Sequence, residues 1–194
     1  MTLGYRRVMH EVKYSFDNDG IHMERTPIYH MVAAGIYLQC WRLCKANGIP
    51  VAPYALPTLE KAADFLMSLV KPDFSTPMID DLRTRRCDTS LYEGMNLTFD
   101  PKDLNEMRAY FRTMYQITGK KEYLYFITAG KEGTAPKKKN YAYKEAGIYV
   151  MRTGWKKDDS YFHLQCVQLE RGEKSTHSHN DTGHLELHIK GEDI

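Results

Sequence analysis

The sequence predicts an α+β protein, helical up to about residue 135 and built of antiparallel strands after it. Three observations support this. Before Gly130 apolar residues recur at helical spacing, in runs closed by capping residues, prolines or glycines. After residue 145, runs at 146–152, 161–169 and 184–190 read as strands. Between these parts lies Lys-Glu-Gly-Thr-Ala-Pro-Lys-Lys-Lys-Asn (131–140), a linker composition, which places a boundary near 135 and divides the chain into 1–135 and 136–194. A chain of 194 residues can bury a sizeable core as one domain or two.

The elements follow in order. In residues 1–16, Leu3, Tyr5, Val8, Met9, Val12 and Phe16 share one helical face, like a helix lacking its neighbour. Asp17-Asn18-Asp19-Gly20 is a turn. The next helix spans 26–47, with Thr26 as N-cap, Pro27 at its first position and Gly48 as its stop. Tyr29 and His30 fall in its first turn, where unpaired N–H groups and the positive end of the helix dipole favour anions. A phenol there can serve as acid or base; the competing reading is that Tyr29 packs against the helix entry. Pro50, Pro53 and Pro57 break the chain, and a helix over 58–70 presents Leu59, Ala62, Ala63, Leu66, Leu69 and Val70 on one face. An irregular stretch holds Asp80 and Asp81 beside Arg83, Arg85 and Arg86, either a salt-bridged loop or a binding rim. Helices over 101–117, capped by Asp100 with Pro101 at its first position, and 122–129 complete a set of αα-hairpins.

The strand region ends in Gly172–Gly191, the densest run of chemistry in the chain. As a strand, its odd positions are His177, His179, Asp181, Gly183, Leu185, Leu187 and Ile189, and its even positions are polar throughout. The expectation is a buried odd face that opens as a polar site and continues as core. Two imidazoles two residues apart with a nearby carboxylate give an N,N,O set for zinc. The same imidazoles could instead bind or discharge an acidic ligand, or stand solvated at a strand mouth. Lys190–Asp193 is a turn signal with Ile194 opening a return strand, so the chain reads as an internal fragment.

Composition narrows the function classes. The net charge of +2 gives no bulk drive toward nucleic acid or membrane. No apolar run reaches the roughly 20 residues of a membrane helix, and no signal-peptide pattern opens the chain. The cysteines at 40, 44, 87 and 166 form no CxxC pair and no disulfide framework; Cys40 and Cys44 read as buried thiols.

Three motifs carry a family resemblance: DNDGIHMERTPIYH (17–30), AGIYVMRTGWKKDDSYFHLQ (146–165) and HSHNDTGHLELHIKG (177–191). In order and spacing they resemble the heparinase II/III-like polysaccharide lyases across essentially the whole chain. The resemblance implies the end of an incomplete α/α toroid followed by a truncated antiparallel β-sandwich. It implies β-elimination on acidic, uronate-containing polysaccharides of the heparan sulfate or alginate kind. Position by position, Tyr29 matches the catalytic tyrosine, acid and also base, and His177 the histidine that assists base or neutralisation work. His179 matches a zinc ligand; Glu24, His30 and Asp181 match positions that shape the cleft or touch substrate. The departures are a catalytic Asn, absent because 28 residues precede Tyr29, and further metal ligands expected past Ile194. The isolated chain is therefore expected to bind zinc poorly and to have little lyase activity. The partner implied is an acidic polysaccharide, not nucleic acid or membrane. Oligomeric state is open, a homodimer included. The family is mostly periplasmic or secreted, whereas unpaired cysteines fit a reducing compartment as well. The other readings are a non-catalytic glycan-binding protein of the same fold and a metal-dependent hydrolase built on the HSH…D cluster.

Overall fold

The computed structural model describes residues 3–79, 105–166 and 181–194. Helix α1 (Leu3–Tyr14) buries Met9 and Val12 on its apolar face, against Ala55, Tyr37 and Trp41. The chain then reverses through the expected turn. Asp17 Oδ1 accepts hydrogen bonds from the N–H groups of Asp19 (2.9 Å) and Ile21 (2.8 Å). Gly20 has φ +82°, and a Cβ there would lie 2.4 Å from Lys61 Cβ, so only glycine lets the turn touch the following hairpin.

Helix α2 (Pro27–Ala46) starts as the sequence requires. Thr26 is extended, its hydroxyl accepts from Tyr29 N–H, and Pro27 occupies the first turn, where a missing N–H costs nothing. Helix α3 (Ala55–Leu69) begins three residues before the expected Thr58. Pro57 lies inside its first turn rather than ending the preceding segment, because first-turn residues have no carbonyl to donate to. Helices α4 (Asn105–Thr118) and α5 (Lys121–Ile127) form a second hairpin, turning at Gly119 with φ +71°. The expected start of α4 at Asp100–Pro101 lies outside the described residues, as do Asp80, Asp81, Arg83, Arg85, Arg86 and Cys87. Cys40, Cys44 and Cys166 are free thiols.

Strands β1 (Tyr141–Tyr143), β2 (Ile148–Arg152), β3 (Tyr161–Gln165), β4 (His184–Ile189) and β5 (Glu192–Asp193) form one antiparallel meander in chain order. β1 directly follows the basic linker and lacks a separate sequence signal. The return strand begins at Glu192 rather than Ile194. The register aligns Arg152, Tyr161 and His188 in one row, Val150, His163 and Glu186 in the next, and Ile148, Gln165 and His184 in a third. One core cluster joins the helices to the sheet's inner face, with Leu38, Leu59, Phe65, Phe111, Phe126, Ile148, Val150 and Tyr161 all buried.

The joint between the layers is made at the C-terminal end of α3. Its last carbonyls have no helical partner. The Arg152 guanidinium donates to the carbonyls of Val70 (2.9 Å) and Ser68 (2.5 Å), and the Tyr161 hydroxyl donates to Leu69 (3.4 Å). The same guanidinium stacks on Trp155 at 3.5 Å. Arg152 is 6% exposed, and burial lowers its pKa to about 10.

β4 reverses the sequence expectation. Its even residues His184, Glu186 and His188 face the helices, with His188 1% exposed, whereas Leu185 and Ile189 are 49% and 38% exposed. The reason is pairing: Glu186 accepts from Met78 N–H (2.5 Å), and His188 Nδ1 meets Asp193 (2.9 Å), although the buried His188 Nε2 has no partner among the described residues. The outer face of the sheet, including Met151, Leu185 and Ile189, is apolar and open to solvent.

Candidate functional site

The first motif folds as a single device around His30. Its imidazole is fully buried between Phe16 (centroids 5.6 Å) and Phe65 (4.8 Å). Nδ1 accepts from His22 N–H (3.1 Å), and Nε2 lies 3.0 Å from the Ala62 carbonyl. A carbonyl only accepts, so the proton sits on Nε2 and the ring is neutral. Burial lowers its pKa to about 3. His30 thus ties the motif loop to the first turn of α2 and to α3 and does not reach solvent.

Around this strut the loop exposes other groups. His22 stands edge-on to Phe16, and burial lowers its pKa to about 4. Glu24 N–H approaches His22 Nδ1 at 3.4 Å and the Glu24 carboxylate lies 3.9 Å from it. With His22 neutral near pH 7 this pair is a polar contact rather than an ion pair. Arg25 has φ +57°, uncommon for a residue with a side chain, and its N–H closes the turn onto His22 O (2.8 Å). Thr26 and Pro27 are buried, and Tyr29 emerges partly exposed one turn into α2. Its N–H bonds Thr26 Oγ1 (3.3 Å), so the phenol is carried by a capped, positively polarised helix end.

The sheet supplies less of the expected site. His177 and His179 lie outside the described residues. Asp181 is half-buried, and its carbonyl accepts from His184 N–H (2.8 Å) at the turn before β4, where Gly183 has φ +89°. Of the sequence-derived residues, Glu24, Tyr29 and His30 are thus brought together by the motif loop and α2, while Asp181 stands at the mouth of β4.

The inner face of β3 and β4 is a polar seam that sequence reasoning did not single out. Lys71 is 5% exposed; its ammonium lies 2.8 Å from both Asp193 oxygens and 3.8 Å from Glu186. His163 is fully buried, neither ring nitrogen has a partner among the described residues, and burial first, then His184, lowers its pKa to about 3. The one signal for Lys71 was its place directly after an apolar helix; for His163 it was alternation within a strand. Among the described residues Asp73, His188 and Asp193 bring ligand atoms within 4.8 Å of one another. They do not fit a divalent ion as they stand, because Lys71 already fills the cationic position on Asp193, and Asp73 accepts from Ser75 N–H (2.9 Å) and Oγ (2.6 Å). The zinc implied by His179 has no ligand set among the described residues.

Comparison with known proteins agrees with this architecture. A heparin-sulfate lyase of Pedobacter heparinus is 30% identical over 184 residues, covering 93% of this chain and 25% of the relative. One from Bacteroides stercoris is 25% identical over 187 residues, covering 95% and 25%. The crystal structure of heparan sulfate lyase HepC from Pedobacter heparinus superposes with a TM-score of 0.79 at 29% identity, over 98% of this chain and 27% of that one. A structure of heparinase III superposes with a TM-score of 0.80 at 22% identity, a likeness of fold. The chain thus spans about a quarter of the length of the relatives it matches. Residues 1–104, more than half of the chain, match the family model described as Heparinase II/III N-terminus, and the chain belongs to the heparinase II/III family.

Proposed function

We propose that this chain is part of a polysaccharide lyase that cleaves heparan-sulfate-like, uronate-containing chains by β-elimination. The observation that carries the reading is the His22–His30 device, which holds Tyr29 partly exposed on a capped helix end in a chain of the heparinase family. In the elimination a base removes the C5 proton of the uronate. The C4–O bond breaks, a C4=C5 double bond forms, and an acid protonates the departing oxygen. Tyr29 is the acid and also the base; His177 assists as base or in neutralising the carboxylate, without which the C5 proton is barely acidic. Glu24 and Asp181 line the substrate path, and His30 shapes it from beneath. His179 would hold a zinc ion that steadies the sheet loop.

In this reading α1–α5 are the end of an incomplete α/α toroid up to about residue 135. The sheet opens a β-sandwich whose second layer covers the apolar outer face. The test is the near-ultraviolet absorbance of the unsaturated uronate, followed with a panel of uronate polymers on the full-length parent protein. Tyr29→Phe is expected to lower the rate by about a hundredfold or more while polymer binding persists. A wild-type protein that binds the polymers but releases no unsaturated product would replace the lyase by a glycan-binding protein.

A further inference from the structure

A second site stands apart from the Tyr29 loop. It is a cavity of about 460 Å³ between the 72–75 loop, the end of α5 and the connection from β2 to β3. Phe74, Tyr125 and Trp155 give it aromatic walls, with Lys156 and Lys157 at its rim. Phe74 and Tyr125 are tilted 40° at 5.8 Å, and Gly130 fits beneath them because a Cβ there would press on both rings, at 3.3 and 3.4 Å.

Several features mark it as a built site rather than a surface dent. Trp155 is 6% exposed and lines the cavity, and its buried indole N–H has no acceptor among the described residues. Phe74 (φ +64°) and Ala129 (φ +50°), both lining it, hold left-handed backbone that side chains rarely adopt. The lysine loop is preorganised by Asp159, whose carboxylate accepts from Lys156 N–H (2.8 Å) and Thr153 Oγ1 (2.9 Å). Both lysines are exposed, and among the described residues neither ammonium has a carboxylate within 4.0 Å. Asp73, the acidic residue of the lining, is already held by Ser75.

We propose that this cavity binds an anionic saccharide unit. Aromatic walls receive the C–H faces of a pyranose, the ammonium groups meet carboxylate or sulfate oxygens, and the volume lies in the range that holds small ligands. It opens at the Arg152–Tyr161 end of the strands, whereas Asp181 lies at the Gln165 end, so the length of β3, about 13 Å, separates them. The cavity would therefore hold a part of an acidic polysaccharide that is not being cleaved. The choice of a saccharide rests on the lyase reading; the anion-binding cavity does not.

Trp155 is the built-in probe, read on this chain in a Trp41→Phe background so that it is the chain's sole indole, while elimination is followed on the full-length parent. Titration with a heparan-sulfate-derived octasaccharide should change its fluorescence saturably. Lys156→Ala/Lys157→Ala should weaken that response by about tenfold, and Tyr29→Phe should leave it unchanged. No response, or equal affinity in the double-lysine variant, overturns the site. An equal response to inorganic sulfate at matched sulfate concentration overturns the saccharide assignment, and an equal response to an uncharged oligosaccharide overturns the anionic one. If no polymer yields unsaturated product while the lysine-dependent response persists, the lyase reading falls and the site stands. If elimination proceeds and Trp155 stays silent, the site falls alone.

Discussion

At the scale of single residues the chain holds neutral imidazoles in buried or half-buried places. His30 and His163 have pKa values lowered to about 3, and His22 to about 4, burial being the first cause in each. An unfolded histidine takes up its proton near pH 6.5. Between that pH and about 4 the unfolded chain therefore binds protons that the folded chain refuses, and stability falls as pH falls. The contribution is complete above about pH 6.5, and three such groups give a slope approaching about 4 kcal/mol per pH unit. Asp17 and Asp64, whose pKa values burial raises, act in the opposite sense at lower pH. Urea midpoints measured from pH 7.5 to 4.5 should drop steadily from about pH 6.5; a flat profile down to 5 would mean that these rings are hydrated.

At the scale of elements, the turn before α2 is tightly constrained backbone. Gly20→Ala would drive a methyl into Lys61 Cβ and strain a positive φ, at a cost of roughly 2–3 kcal/mol, read as a lowered urea midpoint. Helix α2 was legible to the residue because its start is written locally: Thr26, Pro27 and the Thr26–Tyr29 contact lie within four positions. The face of β4 was not. Alternation tells which residues share a face but not which face meets the core, and Leu185, Leu187 and Ile189 made the wrong one attractive. What decided it was Lys71, Met78 and Asp193, all distant in sequence or on another element. The site divided in the same way. Tyr29 and Glu24 were readable from one short motif, whereas the polar seam of Lys71, His163 and Glu186 exists only through pairing.

At the scale of the whole molecule, helical layer and sheet share one core, yet the sheet leaves an apolar face uncovered. Leu185→Lys should change the stability of this chain by no more than about 0.5 kcal/mol and reduce its self-association in sedimentation. In the full-length parent the same change should destabilise by about 2 kcal/mol or more if a second sheet packs there. The layers themselves are joined through main chain. Arg152 and Tyr161 address the carbonyls of Ser68, Leu69 and Val70, atoms that every residue type possesses. This contact therefore leaves the α3 side of the joint free to drift in sequence, while the sheet side is held to one guanidinium and one phenol. Ser68→Ala should leave the docking of the layers intact, whereas Arg152→Lys, unable to reach two carbonyls and stack on Trp155 at once, should loosen it by about 2–4 kcal/mol. Heritable variation would then be recorded on one partner of the joint and be silent on the other.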